Sequence, residues 1–215
     1  MKWRGQYLQD KYVYTTFFPG VTTGVFLDVG ASDGCRFSNT MALEELGWTG
    51  VLVEPRPAAA AAAVACRSSP VENVAIAAVE GTASFLDIEG YGEGLSGIVS
   101  EYDPRHVSRI TQELQNPDCR GASKITVNTV PLQKLLDKHC LRVINYMSLD
   151  VEGSELVVLQ SIDWKKTLIE VIDVEVNYGD GAIVDYLSQL GYIVHSTVGC
   201  DYIFILGCNN VTSNK

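Results

Sequence analysis

The sequence predicts an α/β fold: a mainly parallel sheet with helices on both faces, closed at the C-terminal end by an antiparallel hairpin. Three observations carry this expectation. Short apolar runs at 25–27, 51–53 and 143–149 each end in an acid, namely Asp28, Glu54 and Asp150. A stretch with helical apolar spacing follows each run, and such alternation of strand and helix builds parallel sheets. Near the C-terminus, 192–197 and 202–206 flank Gly199 and Asp201 as the arms of a hairpin flank their turn.

The N-terminal 1–24 reads as a cap segment. A helix is expected over 6–14 and Pro19-Gly20 breaks it, leaving Gln9, Asp10 and Lys11 as candidates to face a ligand in the sheet's mouth. The organising stretch is FLDVGASDGCRFSN, 26–39. Gly30 and Gly34 allow a sharp turn and close approach of a ligand to the backbone. Ala31 and Ser38 belong to the same turn, and a helix over 38–46 stops at Gly47. Dinucleotide enzymes use a GxGxxG spacing here, whereas this chain has GASDG with acids at Asp28 and Asp33. Acids repel a pyrophosphate and suit a ligand carrying an ammonium and a sulfonium, which points to S-adenosylmethionine. Glu54, before Pro55, ends the second strand where a carboxylate can accept both ribose hydroxyls; the competing reading is a solvated loop acid.

The alanine run 58–65 predicts a helix lying close to the sheet. A third strand is expected over 71–77, bordering an adenine near 73–75, and a short partner strand over 85–88. Residues 89–123 read as an excursion carrying the substrate loop, because EGYGEGLSGI holds four glycines. Asp103-Pro104 then opens a polar helix towards Gln115. His106 and Arg109 share one side of it, and His106 is either an exposed histidine or a catalytic base.

A strand over 125–130 and a helix over 131–139 lead to VINYMSLDVEGSELVVLQSIDW, 143–164. Asp150 and Glu152 sit at that strand's exit, where paired carboxylates cost desolvation energy unless something receives them. The next strand, 170–176, carries Asp173, Glu175 and Asn177 on one side. Should it lie beside the strand ending at Asp150, oxygen atoms of Asp150, Glu175 and Asn177 can hold Mg²⁺ or Mn²⁺, or cradle sugar hydroxyls without a metal. A helix over 183–190 precedes the hairpin.

With 215 residues and no linker, 1–215 reads as one domain. The net charge of −10, from 16 basic and 26 acidic residues, argues against nucleic acid as a partner and leaves small molecules or glycans. The six cysteines form no CxxC pair and have no histidine at metal spacing, so the expectation is reduced thiols and a cytoplasmic location. No run reaches membrane-spanning length, and MKWRGQYLQDKY lacks a signal-peptide core. The Asn210 sequon is expected to be idle, and the NNVTSNK tail is compatible with one domain of a larger glycan-modifying protein.

The segments QDKYV, FLDVGASDGCRFSNT, LVEP, LSGI, SLDVEGSELVVLQSIDW and DYIF together resemble the FkbM-type methyltransferases over most of the chain. The resemblance implies a Rossmann-like class I methyltransferase fold with a seven-stranded sheet, S-adenosylmethionine as donor and a hydroxyl as acceptor. It assigns Asp28, Gly30, Asp33, Gly34 and Glu54 to the cofactor, and Asp150 and Glu152 to the active centre. Asp150 is the first expected base, followed by Glu175 and His106. An NAD(P)-dependent oxidoreductase and a non-catalytic S-adenosylmethionine-binding module are the alternatives.

Overall fold

The computed structural model describes residues 2–178 and 181–207. The Asn210 sequon, Cys208 and the NNVTSNK tail lie outside the described residues.

A cap helix α1 (Gln9–Phe17) precedes β1 (Val25–Val29), and the chain continues through α2 (Met41–Leu46), β2 (Thr49–Val53), α3 (Pro57–Cys66), β3 (Val71–Glu72) and β4 (Ala75–Ile76). Then come β5 (Gly81–Gly90), β6 (Gly97–Ile98), α4 (Pro104–Glu113), β7 (Cys119–Val130), α5 (Leu132–Lys138) and β8 (Val143–Leu149). The C-terminal part is α6 (Glu155–Gln160), β9 (Leu168–Glu175), α7 (Ala182–Gln189), β10 (Tyr192–Val198) and β11 (Asp201–Leu206).

Seven strands form the main sheet in the order β10-β11-β9-β8-β1-β2-β3. All are parallel except β11, which runs against both neighbours, as the expected terminal hairpin requires. Alternation along β1 explains why both faces carry helices. Leu27 and Val29 pack into a core with α5, α6 and α7, while Phe26 packs with Val13, Leu43 and Trp48 on the other face. Phe26 and Leu27 are wholly buried, each contributing about 1.5–3 kcal/mol of transfer free energy. The chain grows outwards from β1 to β2 and β3, then returns to β8 on the other side. The order therefore reverses between β1 and β8, the place where open α/β sheets bind ligands.

A second sheet, β4-β7-β5-β6, departs from the sequence expectation. The expected strand 71–77 breaks in two. Asn73 donates its side-chain amide to the Glu54 and Pro55 carbonyls, and the Val74 N–H turns back to the Glu72 carbonyl. That kink sends β3 to the main sheet and β4 to the small one. The strand expected at 85–88 is the middle of β5 and that expected at 125–130 the C-terminal half of β7, two longer arms paired from Gly81↔Thr129 to Gly90↔Cys119. Residues 89–90 and 119–123 are thus strand, and the excursion proper is 91–118. It folds onto the arms through a small core of Ile88, Leu95 and Ile110.

Candidate active site

A cavity of about 480 Å³ opens at the C-terminal ends of β1, β2, β8 and β9, roofed by the tract 90–96. Its floor is fixed by backbone contacts. Gly30 has φ +90°, and a Cβ there would lie 1.7 Å from the Asp150 carbonyl oxygen, so only glycine fits. The Gly30 and Ala31 N–H groups donate to the Val53 carbonyl at 2.9 and 3.1 Å, and the Asp150 N–H donates to that of Val29 at 3.0 Å. Three strand ends are bound into one surface.

On the β1–β2 side a cation lies near each acid. Asp28 is buried and accepts a short hydrogen bond from the Thr40 hydroxyl. Burial raises its pKa, and the nearby Arg67 guanidinium opposes that shift. Arg67 also donates to the Gly34 carbonyl at 3.0 Å and to Thr40 Oγ1 at 3.1 Å, and it pairs with Glu44. Glu54 is only 4% exposed, which sets aside a solvated loop acid. Its Oε2 accepts from the Ser32 N–H at 2.8 Å, and its Oε1 from Arg56 N and Nε at 2.9 and 3.2 Å. Burial raises this pKa as well, against the pull of Arg56. Pro55 and Ser38 line the cavity, and Ser38 Oγ accepts from the Met41 N–H.

Two residues of the glycine turn stand behind it. Asp33 Oδ1 accepts from the Cys35 and Arg36 N–H groups at 2.8 Å each, bracing the turn. Gly34 faces α3, where a Cβ would lie 3.1 Å from Ala63 Cβ. Neither is among the residues lining the cavity. Gln9 and Asp10 also point inward: Gln9 Nε2 donates to Asp201 at 2.7 Å and Asp10 accepts from the Arg4 N–H at 2.6 Å. Gln6 and Tyr7 line the mouth instead. At the expected adenine border, Val74 and Ala75 form the wall while Asn73 turns away to the backbone.

On the β8–β9 side acids meet acids. The register Leu149↔Val174 sets Asp150 beside Glu175. Asp150 is exposed to the cavity. The protein around its carboxylate and the like charges of Glu175 and Glu152 push its pKa up. Glu152, in a left-handed backbone conformation (φ +57°), is shifted the same way, by burial first and Glu175 second. The Asn177 amide bridges the pair, donating to Glu175 Oε2 at 2.6 Å and to Glu152 Oε2 at 3.1 Å. Glu155, which the sequence reading passed over, accepts from the Val151 and Gly153 N–H groups at 3.1 Å each and so holds the turn after β8. A strand-exit turn closed by an acid at the start of a helix was the available signal. Oxygen atoms of Asp150, Glu155 and Glu175 lie within 4.8 Å of one another, a hard-donor set of the kind Mg²⁺ or Mn²⁺ takes. Asn177, however, turns its NH₂ group rather than its oxygen to the acids.

His106 corrects the expectation of an exposed histidine. It is 1% exposed, its Nε2 lies 3.2 Å from the Leu95 carbonyl and its Nδ1 lies 3.1 Å from the Tyr178 hydroxyl. The carbonyl only accepts, which assigns the proton to Nε2 and makes Nδ1 the acceptor for Tyr178. Burial lowers its pKa and keeps it neutral. It stacks on Tyr102 at 4.8 Å and, through Tyr178, ties the excursion to the loop after β9 without lining the cavity.

Residues 28–194, well over half of the chain, match the family model of the Methyltransferase FkbM domain. The matched segment runs from Asp28 through the acid cluster and into β10. No curated protein matches the chain.

Proposed function

This chain belongs to the FkbM methyltransferase family, and we propose that it transfers the methyl group of S-adenosylmethionine to a hydroxyl of a small molecule or glycan, a sugar hydroxyl being preferred. The observation that carries this reading is the convergence of three strand-end acids, Asp28, Glu54 and Asp150, on one cavity whose glycine turn leaves no room for a side chain at residue 30.

The cavity suits the donor. Glu54 is the acceptor for ribose hydroxyls, and Val53, Val74 and Ile76 offer an apolar wall to an adenine. Asp28 supplies negative charge on the donor's side of the cavity, where a pyrophosphate would be repelled. When bound, S-adenosylmethionine supplies an electrophilic methyl carbon. The protein's part is to hold the acceptor oxygen in near-attack geometry and to take its proton.

Asp150 is the base in this reading. An unperturbed carboxylate is too weak to draw a proton from an alcohol at neutral pH, whereas the protein around it and the charges of Glu175 and Glu152 bring Asp150 nearer the working range. Glu152 and Glu175 flank it as the next candidates, and His106 is a positioning residue. The decisive experiment is Asp150→Asn: calorimetry should show adenosylhomocysteine bound as in the unaltered protein while turnover collapses. Full turnover would remove Asp150 from the role. A divalent ion is the second reading of the same cluster, favoured by the 4.8 Å grouping of its oxygens. Turnover that survives EDTA rejects it, and turnover lost to EDTA and restored by Mg²⁺ or Mn²⁺ supports it.

A further inference from the structure

Two aromatic rings at the cavity mouth have no part in that chemistry. Phe37 is 53% exposed and Tyr91 47%, and both line the cavity, one from the turn after β1 and one from the roof. Isolated exposed aromatics need no explanation, but Phe37 is held out at a cost. Its backbone is left-handed (φ +56°), a conformation a bulky residue keeps only when its surroundings impose it. Arg36 does the holding: its guanidinium lies 4.8 Å from the centre of the Phe37 ring, and its Nη1 pairs with Glu93 of the roof at 3.0 Å. Turn and roof are thereby joined, with an aromatic face on each.

The charges at this mouth select further. Three arginines line the cavity. Arg36 is paired with Glu93 and Arg56 with Glu54, and Arg109 lines the same cavity. Seven carboxylate side chains line the cavity against these three guanidiniums, so a phosphate or carboxylate on the acceptor would meet an excess of like charge. What is offered is flat apolar surface beside carboxylate oxygens that accept hydrogen bonds. A ring with a C–H face and a hydroxyl-bearing edge meets both.

We propose that the acceptor is a neutral pyranoside whose ring stacks on Phe37 and Tyr91 and whose hydroxyls turn towards the cavity carboxylates. This rests on the reading of the protein as a hydroxyl methyltransferase and narrows its acceptor. The test uses the full chain saturated with adenosylhomocysteine and ligand-observed saturation-transfer NMR. The probes are methyl α-D-glucopyranoside and methyl α-L-rhamnopyranoside, set against glucose 1-phosphate and methyl glucuronide. Saturation of the ring C–H protons is expected for the neutral glycosides, weakened about fivefold or more by Phe37→Ala and by Tyr91→Ala and retained by Phe37→Trp. Adenosylhomocysteine affinity should change by less than about threefold in all three. Tyr91 lies on the roof, so its variant reports even where Phe37→Ala melts early. Stronger binding of the anionic sugars, unchanged signals in both alanine variants, or no pyranoside binding at all overturns the proposal. Failure of adenosylhomocysteine to bind the unaltered protein sinks the parent reading instead, and calorimetry separates the two.

Discussion

The two ends of the cavity floor contain the same chemical group in opposite company. At the β1–β2 end, Glu54 pairs with the Arg56 guanidinium and Asp28 lies near that of Arg67, linked to it through Thr40, and both accept from hydroxyl or backbone donors. At the β8–β9 end, Asp150, Glu152 and Glu175 face one another, and an amide is what joins two of them. A carboxylate whose charge is balanced serves as a fixed acceptor for a ligand's donors. One whose charge is opposed by its neighbours is poised to hold a proton. In the proposed reading, one end recognises the donor and the other transfers the proton.

Four experiments bear on that contrast. Asp150→Asn should lower turnover by about two to four powers of ten, the worth of a positioned base, with adenosylhomocysteine binding intact; lost binding would place Asp150 with the recognising acids. Arg67→Met should cost about 3–5 kcal/mol in urea unfolding, because it leaves Asp28 and Glu44 without their cation. A neutral outcome would show that Asp28 does not depend on it. Asp33→Ala should cost about 1–2 kcal/mol through the loss of two turn hydrogen bonds, with donor affinity nearly unchanged. A large drop in affinity would instead mean that Asp33 reaches the ligand.

The smallest effect is the most diagnostic. Glu175→Gln should stabilise the protein slightly at pH 8, since it removes a charge opposed to Asp150, an effect that solvent at the exposed Asp150 carboxylate screens. The sign follows from linkage. Asp150 and Glu152 have folded pKa values above their unfolded ones, so the folded state binds more protons once the unfolded carboxylates have ionised. Stability is fully present below the unfolded pKa and declines as pH rises through the folded values, and the glutamine variant should show a shallower decline. Turnover runs the other way, rising with pH as Asp150 ionises. A melting temperature that climbs across the same interval would contradict the raised pKa values.

The main sheet was legible because its strands are continuous apolar runs ended by acids, and β1, β2, β8 and β11 fall where those runs predict. The second sheet was not. β5 and β7 alternate small and polar residues against a solvated face, so only 85–88 and 125–130 carry an apolar signal. The convergence of Asp150, Glu175 and Asn177 followed from strand adjacency. Asp33 and Gly34 looked like ligand contacts because a short glycine turn gives no hint of which side faces the helix behind it. His106 was read as exposed because the groups enclosing it, the Leu95 carbonyl and the Tyr178 hydroxyl, lie 11 and 72 residues away along the chain.

The missing side chain at residue 30 also sets where the molecule can yield. With the Asp150 carbonyl filling the place a methyl group would occupy, the glycine turn and the β8 exit have no slack between them and travel as one block. Movement of the roof is then the way left to release spent ligand: among the described residues it is tied to the glycine turn by the solvent-exposed ion pair between Arg36 and Glu93, a latch worth at most about 1 kcal/mol. A rigid bed beneath a lightly fastened lid lets the site stay aligned through each turnover and still empty between them.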